Sequence, residues 1–157
     1  MSKFRDFILI IVGLAFITLS LFLFLKNPAH PKAIPLGTRI EKINFPDVTV
    51  TAEVSDTEES RELGLSSRKN LSENTGMLFV FDTPAQYGFW MKEMLFPIDI
   101  VGLDEEKNVV WLEKNMEPGS YPQTFAPKTP VKYVLELPSG FIDLHKVYMG
   151  LKLSFEP

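Results

Sequence analysis

The stretch "PIDIVGLDEEKNVVWLEKNM", Pro97 to Met116, decides the fold class. Its first half sets the β-branched residues Ile98, Ile100 and Val101 in an apolar run, which favours a strand. "DEEKN", residues 104–108, is polar and turn-forming, and "VVWLEKNM", residues 109–116, is apolar again. Two strand-like runs joined by a short polar turn predict an antiparallel hairpin.

The same signals recur on either side. Val48, Val50, Ala52 and Val54 alternate with Thr49, Thr51 and Glu53, the period of a half-buried strand. "RIEKINF" precedes this run across Pro46. "GMLFVF", residues 76–81, is continuously apolar and too short for a helix, so it reads as a buried strand. "YGFWMK", "VKYVLELP" and "LKLSFE" add three more strands, and "SGFIDLHKV" a short helix. A first helix is predicted through "TEESRELGLSSR", with Ser55–Glu58 or Asp56–Glu59 at capping-box spacing. Gly64 loosens or ends its middle. Residues 117–130 form a loop with four prolines. Strands dominate, and short turns join successive ones. The expectation is an α+β domain, mostly antiparallel β, forming a small barrel or sandwich-like sheet with one or two short helices.

Toward the N-terminus the pattern changes. After a tail of residues 1–6, "FILIIVGLAFITLSLFLFL", Phe7 to Leu25, is nineteen residues without a charge. A bilayer core of roughly 30 Å is spanned by about 20 apolar residues as a helix. The run is longer than a signal-peptide core and lacks a good cleavage site, so residues 7–25 are predicted to be an uncleaved membrane anchor; cleavage would instead give a secreted domain. Residues 26–38 hold three prolines and read as a stiff tether, reaching up to ~40 Å at about 3.1 Å per residue. The domain proper is placed at residues 39–157. Lys3 and Arg5 precede the anchor, while Lys26 and Lys32 follow it. A short tail before an early helix keeps the N-terminus inside, which puts the domain outside the cytoplasm.

Composition excludes several functions. The formal net charge is -4, and no basic cluster is present, so nucleic acid is not an expected partner. The absence of cysteine removes disulfides, thiolate catalysis and thiolate metal sites. Two histidines, His30 and His145, are far apart in sequence and make no metal-ligand cluster. No phosphate-binding glycine loop or nucleophile elbow occurs. No cofactor is implied.

What remains is a set of polar residues inside apolar segments. In a strand, Trp90 and Lys92 would share a face with Gly88, offering a flat ring, space and a charge to a sugar or an anion; equally, both faces could be covered with Lys92 snorkelling to solvent. Arg61 and Arg68, seven residues apart on a continuous helix, would project from nearly one face and could grip a carboxylate or phosphate. Each could equally be a solvated or locally paired surface residue, worth little. Asp99 lies in the apolar "PIDIVGL", where a carboxylate must be paired, turned outward or used.

The pieces "GMLFVF", "FWMK", "PIDI" and "VLELPSG", in this order and spacing, resemble the domain-of-unknown-function family 192 over about residues 46–156. The resemblance implies a small, mostly β domain, often behind a signal sequence or anchor, and brings no catalytic residues. Arg61, Arg68, Gly76, Trp90, Lys92, Asp99 and Glu136 fall on its signature positions. Two departures stand out: Glu93–Met94 where the family has Asn-Thr, and Leu151–Lys152 where an acidic residue is usual.

The expected function is therefore a membrane-tethered, non-enzymatic domain outside the cytoplasm. It would bind a small polar or anionic ligand, or an envelope partner, through Arg61, Arg68, Trp90, Lys92 and Asp99. An alternative is an envelope saccharide hydrolase pairing Asp99 with Glu93, Asp104 or Glu136, which needs two carboxylates on one cleft. Another is a purely structural domain of a membrane complex.

Overall fold

The computed structural model describes residues 39–156. The predicted anchor and tether lie outside the described residues. Among those described, no helix is long and apolar enough to cross a membrane.

Six strands make the main sheet: β1 (Ile40–Asn44), β2 (Thr49–Ser55), β3 (Thr75–Ala85), β5 (Ile98–Leu103), β6 (Val109–Met116) and β8 (Val131–Pro138). Their spatial order is β1-β2-β3-β8-β5-β6. The hairpin of β5 and β6 is antiparallel as the sequence predicts. Its turn closes through Asp104, whose Oδ1 accepts the Asn108 N–H at 2.8 Å.

One pair departs from the antiparallel expectation. β2 and β3 run parallel, because helix α1 (Glu58–Leu63) and the loop behind it return the chain to the end of the sheet where β2 began. Parallel neighbours require such a crossover.

The start of α1 is also not where the sequence places it. Ser55 still belongs to β2 and is buried. Thr57 is the cap: its hydroxyl accepts the Ser60 N–H at 3.2 Å, while the Ser60 hydroxyl accepts the Thr57 N–H at 3.1 Å. This is a capping box with serine in the place usually held by glutamate. Gly64, at φ +50, ends the helix, since a positive φ costs glycine nothing. Arg68 therefore lies in the following loop, and Arg61 and Arg68 do not share a helix face.

Two further corrections concern short segments. In "YGFWMK" only β4 (Phe89–Trp90) is strand, and it pairs with β7 (Thr124–Phe125) in a separate two-stranded sheet. Gly88 lets this loop approach: a Cβ there would lie 2.7 Å from the Thr124 methyl. "LKLSFE" makes only two isolated bridges, Ser154 to Asn44 and Lys152 to Asn108. The C-terminal segment thus touches β1 at one edge and the β5–β6 turn near the other without forming a ladder, so the sheet is not a closed barrel.

Each face of the sheet has its own cover. On the first, Val50, Leu78, Val101, Leu135 and Leu137 pack against Phe141 and Ile142 of helix α2 (Phe141–Leu144) and against Val147, Leu151, Leu153 and Phe155. On the second, Met77, Phe79, Ile98, Ile100 and Val134 pack against Phe89 of β4 and against Leu65, Met91 and Met94 from loops. Burying each such side chain contributes about 1.5–3 kcal/mol. Alternation along β8 follows: Leu135 and Leu137 face the first core, while Val134 and Glu136 face the second.

Candidate functional site

The loop cover over the second face leaves a cleft of about 250 Å³. Three segments bound it: α1 with residues 63–66, the stretch from Tyr87 to Trp90 with Lys92 and Met94, and the sheet side chains Phe79, Phe81 and Glu136. Two bonds lock the first two segments together. The Ser66 hydroxyl donates to the Lys92 carbonyl at 3.1 Å, and the Ser67 N–H to the Glu93 carbonyl at 2.9 Å.

The walls are aromatic, and their rings pack on one another. Phe81 and Tyr87 stack with centroids 3.6 Å apart, and Phe79 meets Phe89 edge-on at 5.3 Å. The Arg61 guanidinium lies 5.3 Å from the Phe81 centroid, a cation–π arrangement. Its Nη1 donates to the Asp56 carbonyl at 2.8 Å and the Val80 carbonyl at 3.0 Å. That fixes the group while leaving its other nitrogens free of these bonds. Trp90, 54% exposed, and the exposed Lys92 also line the cleft.

Glu136 is the chemically unusual member. It is one of three buried polar or charged residues among those described, with 6% of its surface exposed. Its Oε2 has no hydrogen-bond partner. Its neighbours across the strands are Met77 and Ile100, which offer no donor. Burial pushes its pKa up to about 8, opposed only by the charge of Arg68, so the carboxyl is protonated at neutral pH. A neutral carboxyl is a hydrogen-bond donor, and a buried one without a partner is costly unless used.

Arg68 does not line the cleft. It clamps Glu53 of β2 through two bonds of 2.6 and 2.7 Å, the bidentate geometry that guanidinium favours. This pair holds the Glu53 carboxyl below its ordinary range and raises Arg68. Asp99 is likewise outside the cleft lining. Its Oδ1 accepts the Asn115 N–H and its Oδ2 the Ile142 N–H, both at 2.9 Å, which ties α2 to the sheet. Asp99 alternates with Ile100, the direct neighbour of Glu136, so the two carboxylates occupy opposite faces. The pairing of Asp99 with Glu136 for saccharide hydrolysis is thereby excluded. Asp104 is spent on its turn.

Of the five residues singled out in the sequence, the structure brings Arg61, Trp90 and Lys92 to one cleft and leaves Arg68 and Asp99 elsewhere. The walls Phe79, Phe81 and Tyr87 and the acid Glu136 complete it. Among the described residues no group of acidic residues and histidine is arranged to hold a metal ion.

Comparison with known proteins supports the same architecture. A structure from Sinorhizobium meliloti 1021, described provisionally as that of a transcription regulator, superposes with a TM-score of 0.72 at 25% identity, over 78% of this chain and 98% of that one. A protein of unknown function from Novosphingobium aromaticivorans DSM 12444 superposes at 0.65 and 20% identity, over 82% of this chain and 97% of that one. No functionally curated protein matches the chain. The family model for DUF192, described as uncharacterized ACR, matches residues 40–155. On that match, spanning nearly all of the β-rich domain, the chain belongs to the DUF192 family.

Proposed function

We propose that the chain is a membrane-tethered, non-enzymatic binding domain displayed outside the cytoplasm, whose cleft takes a small ligand with a flat apolar body and a polar head. One observation carries this reading: an unpartnered, buried carboxyl, Glu136, among the residues lining a cleft with fixed aromatic walls. A purely structural domain has no use for an orphaned acid, which costs about 1–3 kcal/mol in stability. Preformed apolar walls with a few convergent polar groups are the usual form of a ligand site. Support for the tether is the nineteen-residue uncharged run ahead of a proline-rich segment. The description of the Sinorhizobium protein is not carried over, since residues 26–157 hold 14 Lys and Arg against 19 Asp and Glu, the wrong balance for a DNA surface.

The test is thermal unfolding of the detergent-solubilised full chain against sugars, nucleotides, organic anions and amines. A ligand at about 100 times its Kd stabilises by ~2.7 kcal/mol. One class should raise Tm, and Trp90→Ala, at an exposed position, should abolish the rise. A well-folded chain that no class stabilises contradicts the binding reading. Protease accessibility of the domain in intact cells tests the tether: protection there places it inside.

A further inference from the structure

We infer that the ligand head is a carboxylate on an aromatic or similarly flat body, held between the Glu136 carboxyl and the cations Arg61 and Lys92. This rests on the cleft being a ligand site, and names what the site takes.

The charge arrangement separates the candidates. Arg61 already occupies the face of Phe81, so a cationic ligand would meet a fixed cation at the aromatic wall, while the exposed Lys92, Glu58 and Glu62 line the outer part of the same cleft. A sugar needs many buried polar partners, yet among the cleft-lining residues only Glu136 is both polar and buried. A carboxylate is matched at the aromatic wall and at the buried acid, and Glu58 and Glu62 stand on the exposed α1 side of the cleft. The Glu136 O–H donates to one of its oxygens, a charge-assisted bond of the stronger kind. Arg61 and Lys92 offset its charge, and Lys92 has no ion-pair partner among the described residues. The aromatic walls bury its body.

The arrangement makes binding depend on a proton. The charged groups lining the cleft with Glu136 are Glu58, Arg61 and Glu62 of α1 and Lys92 after β4, and Arg68, paired with Glu53, acts on Glu136 from outside the cleft; its sheet neighbours Met77 and Ile100 are uncharged. Once Glu136 ionises, it faces the ligand carboxylate as a like charge and loses its donor. The pKa near 8 puts this loss just above neutrality.

Phenylacetate, phenylacetamide and benzylamine, titrated calorimetrically into the full chain at pH 6.5 and 9, distinguish the possibilities. The expected result is that phenylacetate binds best at pH 6.5 and weakens about tenfold by pH 9, as the protonated fraction of a group near 8 falls. Glu136→Gln keeps an uncharged donor, so it binds at pH 6.5 and loses the pH dependence. Lys92→Met, at an exposed position, weakens phenylacetate and leaves phenylacetamide unchanged. Binding of benzylamine in preference overturns the carboxylate assignment and leaves the cleft as a ligand site. Phenylacetate binding that is flat from pH 6.5 to 9 in both proteins overturns the role of Glu136. Failure of all three probes overturns the inference, while the wider panel above still decides whether the cleft binds anything.

Discussion

Replacing Glu136 by Gln should change how stability depends on pH more than it changes stability at any one acidic pH. Glu136 titrates near 4.5 in the unfolded chain and about 8 in the folded one. Between those values the folded state holds the proton and the unfolded state does not. Stability therefore falls as pH rises through this window, because the folded state binds more protons there. Each pH unit corresponds to ~1.4 kcal/mol, so the full window represents on the order of 5 kcal/mol lost by pH 8 relative to pH 4.5. Glutamine has nearly the same shape, cannot ionise, and is free of this slope. At pH 5 the two proteins should differ by about 1 kcal/mol or less, since both bury a neutral polar group. By pH 8.5 the variant should be the more stable by several kcal/mol. Urea unfolding at half-unit intervals from pH 5 to 9 provides the readout, each midpoint converted through its m-value. Subtracting one curve from the other removes every other titrating group. A flat difference curve would mean that Glu136 ionises as easily in the fold as out of it, and would refute the argument from its buried, unpartnered oxygen.

Other perturbations test other parts of the account. Asp99→Ala leaves the buried Ile142 N–H and the part-buried Asn115 N–H without acceptors; with about 1–3 kcal/mol for the buried donor it should cost ~2 kcal/mol in urea unfolding. Gly76→Ala places a Cβ 2.7 Å from the Glu136 carbonyl oxygen; with backbone unable to yield, Tm should fall by an amount matching ~2 kcal/mol or more. Thr57→Ala should destabilise by ~1 kcal/mol through the lost cap, and Thr57→Ser should restore it, whereas an equal loss in both variants would contradict the capping box.

The strands were legible because their alternation is local: Val50, Ala52 and Val54 report one buried face, and the "DEEKN" turn reports the hairpin. The β2–β3 pairing was not, since parallel or antiparallel is decided by where the loop after Gly64 delivers residue 75. Nor was the cap, because Ser60 at the third helical position replaces the glutamate that marks a capping box. "LKLSFE" alternates like a strand, but its bridges go to Asn44 at the end of β1 and to Asn108 in the β5–β6 turn, which no local period can show. The site was legible in part. Trp90 and Lys92 reach the same cleft, but through the turn that follows β4 and not through a continuous strand. A carboxylate in "PIDIVGL" must be paired, turned outward or used; Asp99 is paired, with the backbone N–H groups of residues 115 and 142, which no local pattern reveals.

Glu136 is the clearest case of what pattern omits. In "VLELP" it takes the position that an alternating strand gives to solvent. It is buried instead because loops around Leu65 and Met94, distant in sequence, cover that face of β8. The available signal was an acid with apolar neighbours on both sides, at a position matching the family signature.

Trp90 offers the most direct view of the cleft. The chain has two tryptophans; Trp111 is buried in the second core and Trp90 lines the cleft. In Trp111→Phe, Trp90 becomes the sole indole. The first measurement is its emission while the ligand that raises Tm is titrated in. A saturable blue shift with the same Kd as the thermal stabilisation is the predicted result, since the ligand body covers an exposed ring. Stabilisation with unchanged Trp90 emission would place the ligand elsewhere and contradict the account.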